Sequence, residues 1–313
     1  AITQCSFPIN YTLFVTSQHE NMITIKLNNM KTKVLNLAKL FIAAVAITSC
    51  NNSEELIPSK EKHVEFNMSA SSLSRTATTE TGGSLTTTFI ANDEVGVYVY
   101  EAETNEPILK NIKCTFNGTH WNTAQPIKIS PEKSYKFYAY YPYNKNLGSA
   151  SDIESINLSV KSIQKDEYDT SDILISKSEY PAYTGENKEK ATVNLSFEHA
   201  FSMIEIELSG DAGKLSNPIV KLVNVANSEY INLETKEITL TDKKDTEIIM
   251  NKQGEMNLYR AILPAQEIAE NTEFLRITGE NEEYKISTKS NSGNKFTLNQ
   301  GQIVKIGIST LPK

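Results

Sequence analysis

The sequence predicts an all-β protein: two tandem β-sandwich domains carried behind a signal peptide. Three observations lead there. From Asp93 to the C-terminus, short β-branched or aromatic runs recur between Asn, Gly, Pro and Asp clusters, a spacing that suits sandwiches and not βαβ units. No segment carries a convincing helical period; the nearest candidate, Ile153 to Ile163, fits strand alternation equally well. Finally, a basic and then apolar stretch runs from Met30 to Ser49 and ends at Cys50, in the order of an export signal.

Taken in order, residues 1 to 29 begin without methionine and show no structural period. They are expected to be an over-extended start upstream of Met30, absent from the mature protein. Residues 30 to 49 form the signal peptide. Lys31, Lys33 and Lys39 supply its positive region and Leu40 to Thr48 its apolar core, which is about half of the ~20 residues that cross a bilayer. The small residues Thr48 and Ser49 precede Cys50 and resemble a bacterial lipobox, in which the cysteine thiol is acylated and becomes the new N-terminus. Two or more acyl chains give stable anchoring where one is marginal. The polar Asn51 to Glu55 resembles the signal that sends such lipoproteins to the outer face of the outer membrane. An ordinary signal peptide with an incidental cysteine is the alternative.

Removing residues 1 to 49 leaves 264 residues with 27 basic and 37 acidic side chains, a net charge of −10. That balance argues against nucleic acid as a partner and against electrostatic membrane binding. With Cys5 and Cys50 assigned elsewhere, Cys114 stands alone, so an exported chain of this size relies on core packing and not on a disulfide.

The first domain is expected over residues 50 to 190. His63 to Met68 alternates polar and apolar at period two, a short strand. It is followed by Ser69 to Thr88, where twelve of twenty residues are Ser or Thr, a tract that buries little and reads as an exposed loop. Arg75 lies in it, and the only other arginines are Arg260 and Arg276. An arginine-specific protease therefore meets one accessible bond, Arg75–Thr76, although a solvated charge is the simpler reading of Arg75. Strands follow at Val95–Tyr100, Ile112–Phe116, Ile127–Ile129, Tyr135–Tyr141, Ile156–Val160 and Ile173–Ser176. The aromatic run Tyr135 to Tyr143 reads as a core strand with Tyr135, Phe137 and Tyr141 inward and the other tyrosines at the rim, or alternatively as a stacking platform for sugars.

The polar stretch Glu179 to Lys190 marks the boundary, and a second domain spans residues 191 to 313. Val193–Phe197 and Met203–Leu208 alternate cleanly. Further runs continue to Gln302–Ile308, which places the last strand at or near a sheet edge.

The chemistry of enzymes is missing. No G-x-S-x-G, H-E-x-x-H, Walker or dinucleotide fingerprint occurs, and there is no cysteine cluster for zinc. His199 reads as a structural residue at a strand junction, and Asp169 with Asp172 is a weak calcium signal. We expect no catalytic residue, no metal and no cofactor.

These motifs together carry a resemblance. The lipobox, the strand with its Arg-Thr loop, Asn92 to Tyr98, Phe137 to Tyr143, Leu195 to Phe201, Ala261 to Pro264 and Leu298 to Gln302 follow one another as in the fimbrillin family of lipoprotein pilins from Gram-negative anaerobes. The chain departs from the family pattern at Phe89, where a tryptophan is usual. The resemblance implies transthyretin-like sandwiches, a surface-exposed outer-membrane lipoprotein anchored through Cys50, and a fimbrium that supports adhesion. It also implies assembly with other pilin subunits by strand exchange after an arginine-specific protease, cutting at Arg75–Thr76, removes the first strand. Two alternatives are a surface glycan-binding lipoprotein using exposed Trp and Tyr platforms, and a non-polymerising anchor or tip subunit of the same family.

Overall fold

The computed structural model describes residues 3–6, 12–15, 61–71, 78–81, 84–147, 152–166, 168–181, 190–241, 246–280, 282–288 and 296–312. The chain divides into two compact units, Ala1–Ile57 and Pro58–Lys313. In the first, β1 (Thr3–Ser6) pairs antiparallel with β2 (Thr12–Val15), a hairpin in a segment where sequence periodicity suggested no element.

The second unit is nearly all strand. Its first part holds β3 (Lys62–Ala70), β4 (Thr78–Thr81), β5 (Ser84–Thr87), β6 (Glu94–Glu101), β7 (Pro107–Phe116), β8 (Trp121–Thr123), β9 (Lys128–Ile129), β10 (Tyr135–Tyr141), β11 (Ile156–Ser159), β12 (Leu174–Tyr180) and β13 (Lys190–His199). Then come β14 (Ser202–Leu208), β15 (Ile219–Val225), β16 (Ser228–Ile231), β17 (Ile238–Leu240), β18 (Thr246–Ile249), β19 (Asn251–Lys252) and β20 (Leu258–Leu263). The last are β21 (Gln266–Ile268), β22 (Glu273–Thr278), β23 (Glu283–Ser287), β24 (Phe296–Leu298) and β25 (Ile303–Ile308). Three single-turn 3-10 helices are the only helical elements among the described residues. No helix there is long and apolar enough to cross a membrane.

Eight strands form one large sheet in the order β8-β7-β6-β10-β12-β13-β3-β9. One face of it packs a core from Val95, Val97 and Val99 of β6, Phe137 and Tyr141 of β10, Val193, Leu195 and Phe197 of β13, and Val64, Phe66 and Met68 of β3. Its opposite face is also covered. Tyr98, Tyr138 and Tyr140 lie in a second core with Ile204 of β14, Leu222 of β15 and Ile262 of β20. Tyr138 and Tyr140 are therefore buried and not at a rim as their alternation suggested. A strand covered on both faces loses the polar half of its alternation, and tyrosine is the residue whose sequence signal least distinguishes the two cases.

Around the second core stand a three-stranded sheet, β11-β16-β17, two four-stranded sheets, β19-β20-β14-β25 and β18-β15-β22-β23, and the pair β21-β24. Sheet membership does not change at residue 190. β13 joins the large sheet, while the earlier β11 joins β16. Both strands are short local patterns whose partners lie far off in sequence, so periodicity assigns the strand and not the sheet. β25 pairs parallel with β14 and lies at the sheet edge, where the sequence put it.

Gly96 is required by a close approach. A Cβ there would stand 2.3 Å from Tyr140 Cε1 and 2.8 Å from Asn111 Oδ1. Tyr140 has no room to yield, because its hydroxyl donates to Asn111 Oδ1 at 2.7 Å and accepts from the backbone N–H of Asn144 at 3.1 Å.

Candidate functional site

The candidate site is β3 and the groove that holds it. The strand obeys strict alternation: Lys62, Val64, Phe66 and Met68 are buried while His63, Glu65, Asn67 and Ser69 face out. Phe66, 8 % exposed, meets Phe137 edge to face at 5.9 Å between ring centres. Burying a side chain such as Val, Phe or Met stabilises by about 1.5–3 kcal/mol, so the three together contribute roughly 6 kcal/mol.

One long ladder holds the backbone. β3 runs parallel to β13 from His63 opposite Lys190 to Ala70 opposite Phe197. On its other edge β9 reaches only Lys62 and His63, and Val64 N–H donates to Ile127 O at 3.0 Å. Beyond Val64 that edge is free of ladder partners among the described residues. Such a strand detaches by breaking one row of bonds, unlike a central strand, which must break two. Outward-facing polar contacts add registration: Asn67 Nδ2 donates to Asn194 Oδ1 at 3.1 Å, and Lys190 pairs with Glu65.

The C-terminal end of β3 is pinned. Ser71 N–H donates to Phe197 O at 2.8 Å, and Ser71 O lies 3.2 Å from His199 Nε2. The other ring nitrogen, Nδ1, is 3.0 Å from Asp172 Oδ1, with both side chains buried. The ring bridges the buried Asp172 carboxyl and the backbone oxygen of Ser71. His199 is thus a structural residue at a strand junction, as its sequence context suggested, and Asp172 is committed to it. Among the described residues no group of three or more His, Cys, Asp or Glu is arranged to hold a metal ion.

Cys50, Arg75 and Thr76 lie outside the described residues. The other two arginines are well placed to resist a protease. Arg260, in β20, is 7 % exposed and its Nε donates to Glu205 Oε2 at 2.8 Å. Arg276, in β22, pairs with Glu247 and Glu273, each at 2.7 Å. Cys114 is a buried free thiol, pushed up to about 12 by burial, and so is not a reactive nucleophile. Trp121 meets Phe89 and Phe116, each at 5.0 Å, and Phe89 also meets Tyr141 and Phe197. These rings form a packed cluster and not an open platform.

Sequence reading found β3, its inward residues and His199. It missed the parallel partnership with β13 and the Asp172–His199 clamp, because both join residues more than a hundred, or twenty-seven, positions apart. The only available signal was that two clean alternations, His63–Met68 and Val193–Phe197, each needed a buried neighbour.

Residues 74–311 match the model of the fimbrillin-like family. The chain belongs to that family. Over 193 residues this fimbrillin-like chain is 24% identical to a protein described as a fimbrium tip subunit, Fim1C, of Bacteroides ovatus. The match covers 56% of this chain and 35% of that one, so the chain spans about a third of the length of this curated relative. Two solved structures share the fold. A protein from Bacteroides uniformis assigned to cell adhesion is 20% identical, with a TM-score of 0.55 over 80% of this chain and 93% of its own. One from Bacteroides ovatus, similarly assigned, is 17% identical, with a TM-score of 0.58 over 81% and 96%.

Proposed function

We propose that this fimbrillin-like chain is a structural subunit of a surface fimbria that supports adhesion. It is exported as an outer-membrane lipoprotein through Cys50 and assembled after an arginine-specific protease cuts Arg75–Thr76. The observation that carries this reading is the state of β3: nine residues with an inward apolar row, joined to the sheet by one long ladder and ending five residues before Arg75. Once the chain is cut, only non-covalent contacts hold that strand. A strand from a neighbouring subunit makes the same parallel bonds to β13 and fills the same positions as Val64, Phe66 and Met68. Because donor and acceptor surfaces differ, the contact is head to tail and builds an open filament. The family match begins at residue 74, so the shared part is essentially what remains after this cut.

The match to a tip subunit favours a second reading, in which the chain caps a fimbria instead of extending it. Electron microscopy of the cleaved protein, with intact-mass analysis of the membrane-bound form, tests both. Filaments and an acylated chain beginning at Cys50 are expected. Cleaved protein that joins pilin filaments but forms none alone supports the tip reading, and a mature chain without acyl mass contradicts the anchor.

A further inference from the structure

Away from β3, a cleft of about 270 Å³ opens beside Tyr100 of β6 and Tyr138 of β10, on the face of the large sheet that packs the second core. It is lined by Tyr100, Asn105, Lys110, Asp152, Glu154 and Glu234, together with Tyr138, Pro107 and Ile153. Tyr100 is 7 % exposed, yet its hydroxyl makes no hydrogen bond among the described residues. The hydroxyl is held above the ordinary tyrosine range, first by burial and then by the charges of Asp152, Glu154 and Glu234, which sets it among the carboxylates that line the cleft. The hydroxyl is not closed off from solvent, and it faces a space that a ligand can enter.

The remaining hydrogen-bonding capacity defines what fits. Tyr138 donates to Glu234 Oε1 at 3.2 Å, and Lys136 Nζ bridges Asn105 Oδ1 at 2.9 Å and Glu234 Oε1 at 3.3 Å. Those bonds leave as donors the Asn105 amide, the Lys110 ammonium and the Tyr100 hydroxyl. They leave as acceptors Glu154, the second oxygen of Glu234 and the second oxygen of Asp152, whose Oδ1 accepts from Glu154 N–H at 3.3 Å. Asp152, Glu154 and Glu234 outnumber Lys110 in the lining, so the cleft is net negative and disfavours an anion. Interleaved donors and acceptors suit a ligand whose groups both give and accept hydrogen bonds. Tyr100 and Tyr138 pack edge to face at 5.6 Å, so the ligand is gripped at its edges and not stacked on a ring face, with Pro107 and Ile153 supplying apolar contact.

We propose that this cleft is a saccharide subsite, taking one sugar ring by its hydroxyls through Tyr100, Asn105, Lys110, Asp152 and Glu154. The site is separate from the strand-exchange reading and stands or falls without it. The test is titration of the uncut protein with the methyl glycosides of glucose, galactose, mannose and N-acetylglucosamine, followed by saturation-transfer and amide NMR. At least one is expected to bind with Kd of about 0.1–10 mM. Tyr100→Phe, which removes only the unpartnered hydroxyl, is expected to weaken it by about fivefold or more. If Tyr100→Phe fails to give a native amide spectrum, the exposed Asp152→Asn variant decides in its place. Absence of saturable binding by every glycoside, affinity unchanged in the deciding variant, or binding of methylammonium instead of any glycoside would each overturn the proposal.

Discussion

His199 Nε2 lies 3.2 Å from the backbone oxygen of Ser71, so the last residue of β13 holds the chain at the end of β3. Asp172 fixes the ring from behind at 3.0 Å. This clamp lies at the C-terminal end of the strand that would leave, before Arg75 in the sequence. His199→Phe keeps the ring's bulk and removes both hydrogen bonds, at a cost of about 1–3 kcal/mol. Amide exchange at Ser69 to Ser71 is expected to quicken by roughly tenfold or more while β6 and β10 stay protected. Unchanged exchange would show that the ladder alone holds the strand.

Phe66 tests the apolar half of the same grip. Phe66→Ala removes the ring that meets Phe137 and is expected to cost about 3–5 kcal/mol in the uncut protein. After cleavage the variant's β3 fragment should dissociate faster than wild type. A thermal midpoint close to that of wild type would mean that β3 contributes little to the core.

Glu229 gives a pH dependence. It is 0 % exposed, neither carboxyl oxygen has a partner among the described residues, and its cross-strand neighbours are Leu158 and Leu240. Burial raises its pKa from 4.5 to about 9. Below the unfolded value both states hold the proton and nothing is lost. Between about 4.5 and 9 the unfolded chain has released it and the native one has not, so stability falls as pH rises by about 1.4 kcal/mol per unit; above about 9 the loss levels off. Glu229→Gln abolishes the ionisation and should stabilise the protein at pH 7 by roughly 3 kcal/mol. Denaturant midpoints from pH 5 to 9 check this, and a parallel decline in both proteins would contradict it.

Gly96 should not tolerate a side chain. Gly96→Ala drives a methyl into Tyr140, whose hydroxyl is tied to Asn111 and Asn144, and overpacking of this kind costs about 1–3 kcal/mol. The double variant Gly96→Ala with Tyr140→Phe frees the ring to move and should recover part of the loss. No recovery would place the strain in the backbone instead.

How far the fold could be read from sequence depended on whether a strand had one wet face. β3 does: His63 to Met68 alternates, and its burial follows the same period. β10 does not, which is why Tyr138 and Tyr140 read as rim residues although the second core surrounds them. Glu229 is the converse case, a carboxylate at an inward position of β16 that any polarity rule turns outward. Pairing was less legible than strands. Nothing local says that β3 lies parallel to β13, or that Asp172 reaches His199, since register across a long connection is set by the packed core as a whole. The Tyr100 cleft escaped for the same reason, being assembled from three separated turns and a sheet face.

If cutting at Arg75 frees β3 for replacement by another subunit, size-exclusion chromatography with light scattering after limited digestion by an arginine-specific protease will show it. Arg260 and Arg276 are ion-paired within strands and should survive conditions that cut Arg75, since proteases need locally mobile chain. Wild type is expected to lose the segment up to Arg75 and to form a ladder of higher-order species, while Arg75→Ala stays uncut and monomeric under the same treatment. Cleaved wild type that remains monomeric at high concentration, or Arg75→Ala that polymerises as readily, would contradict the account.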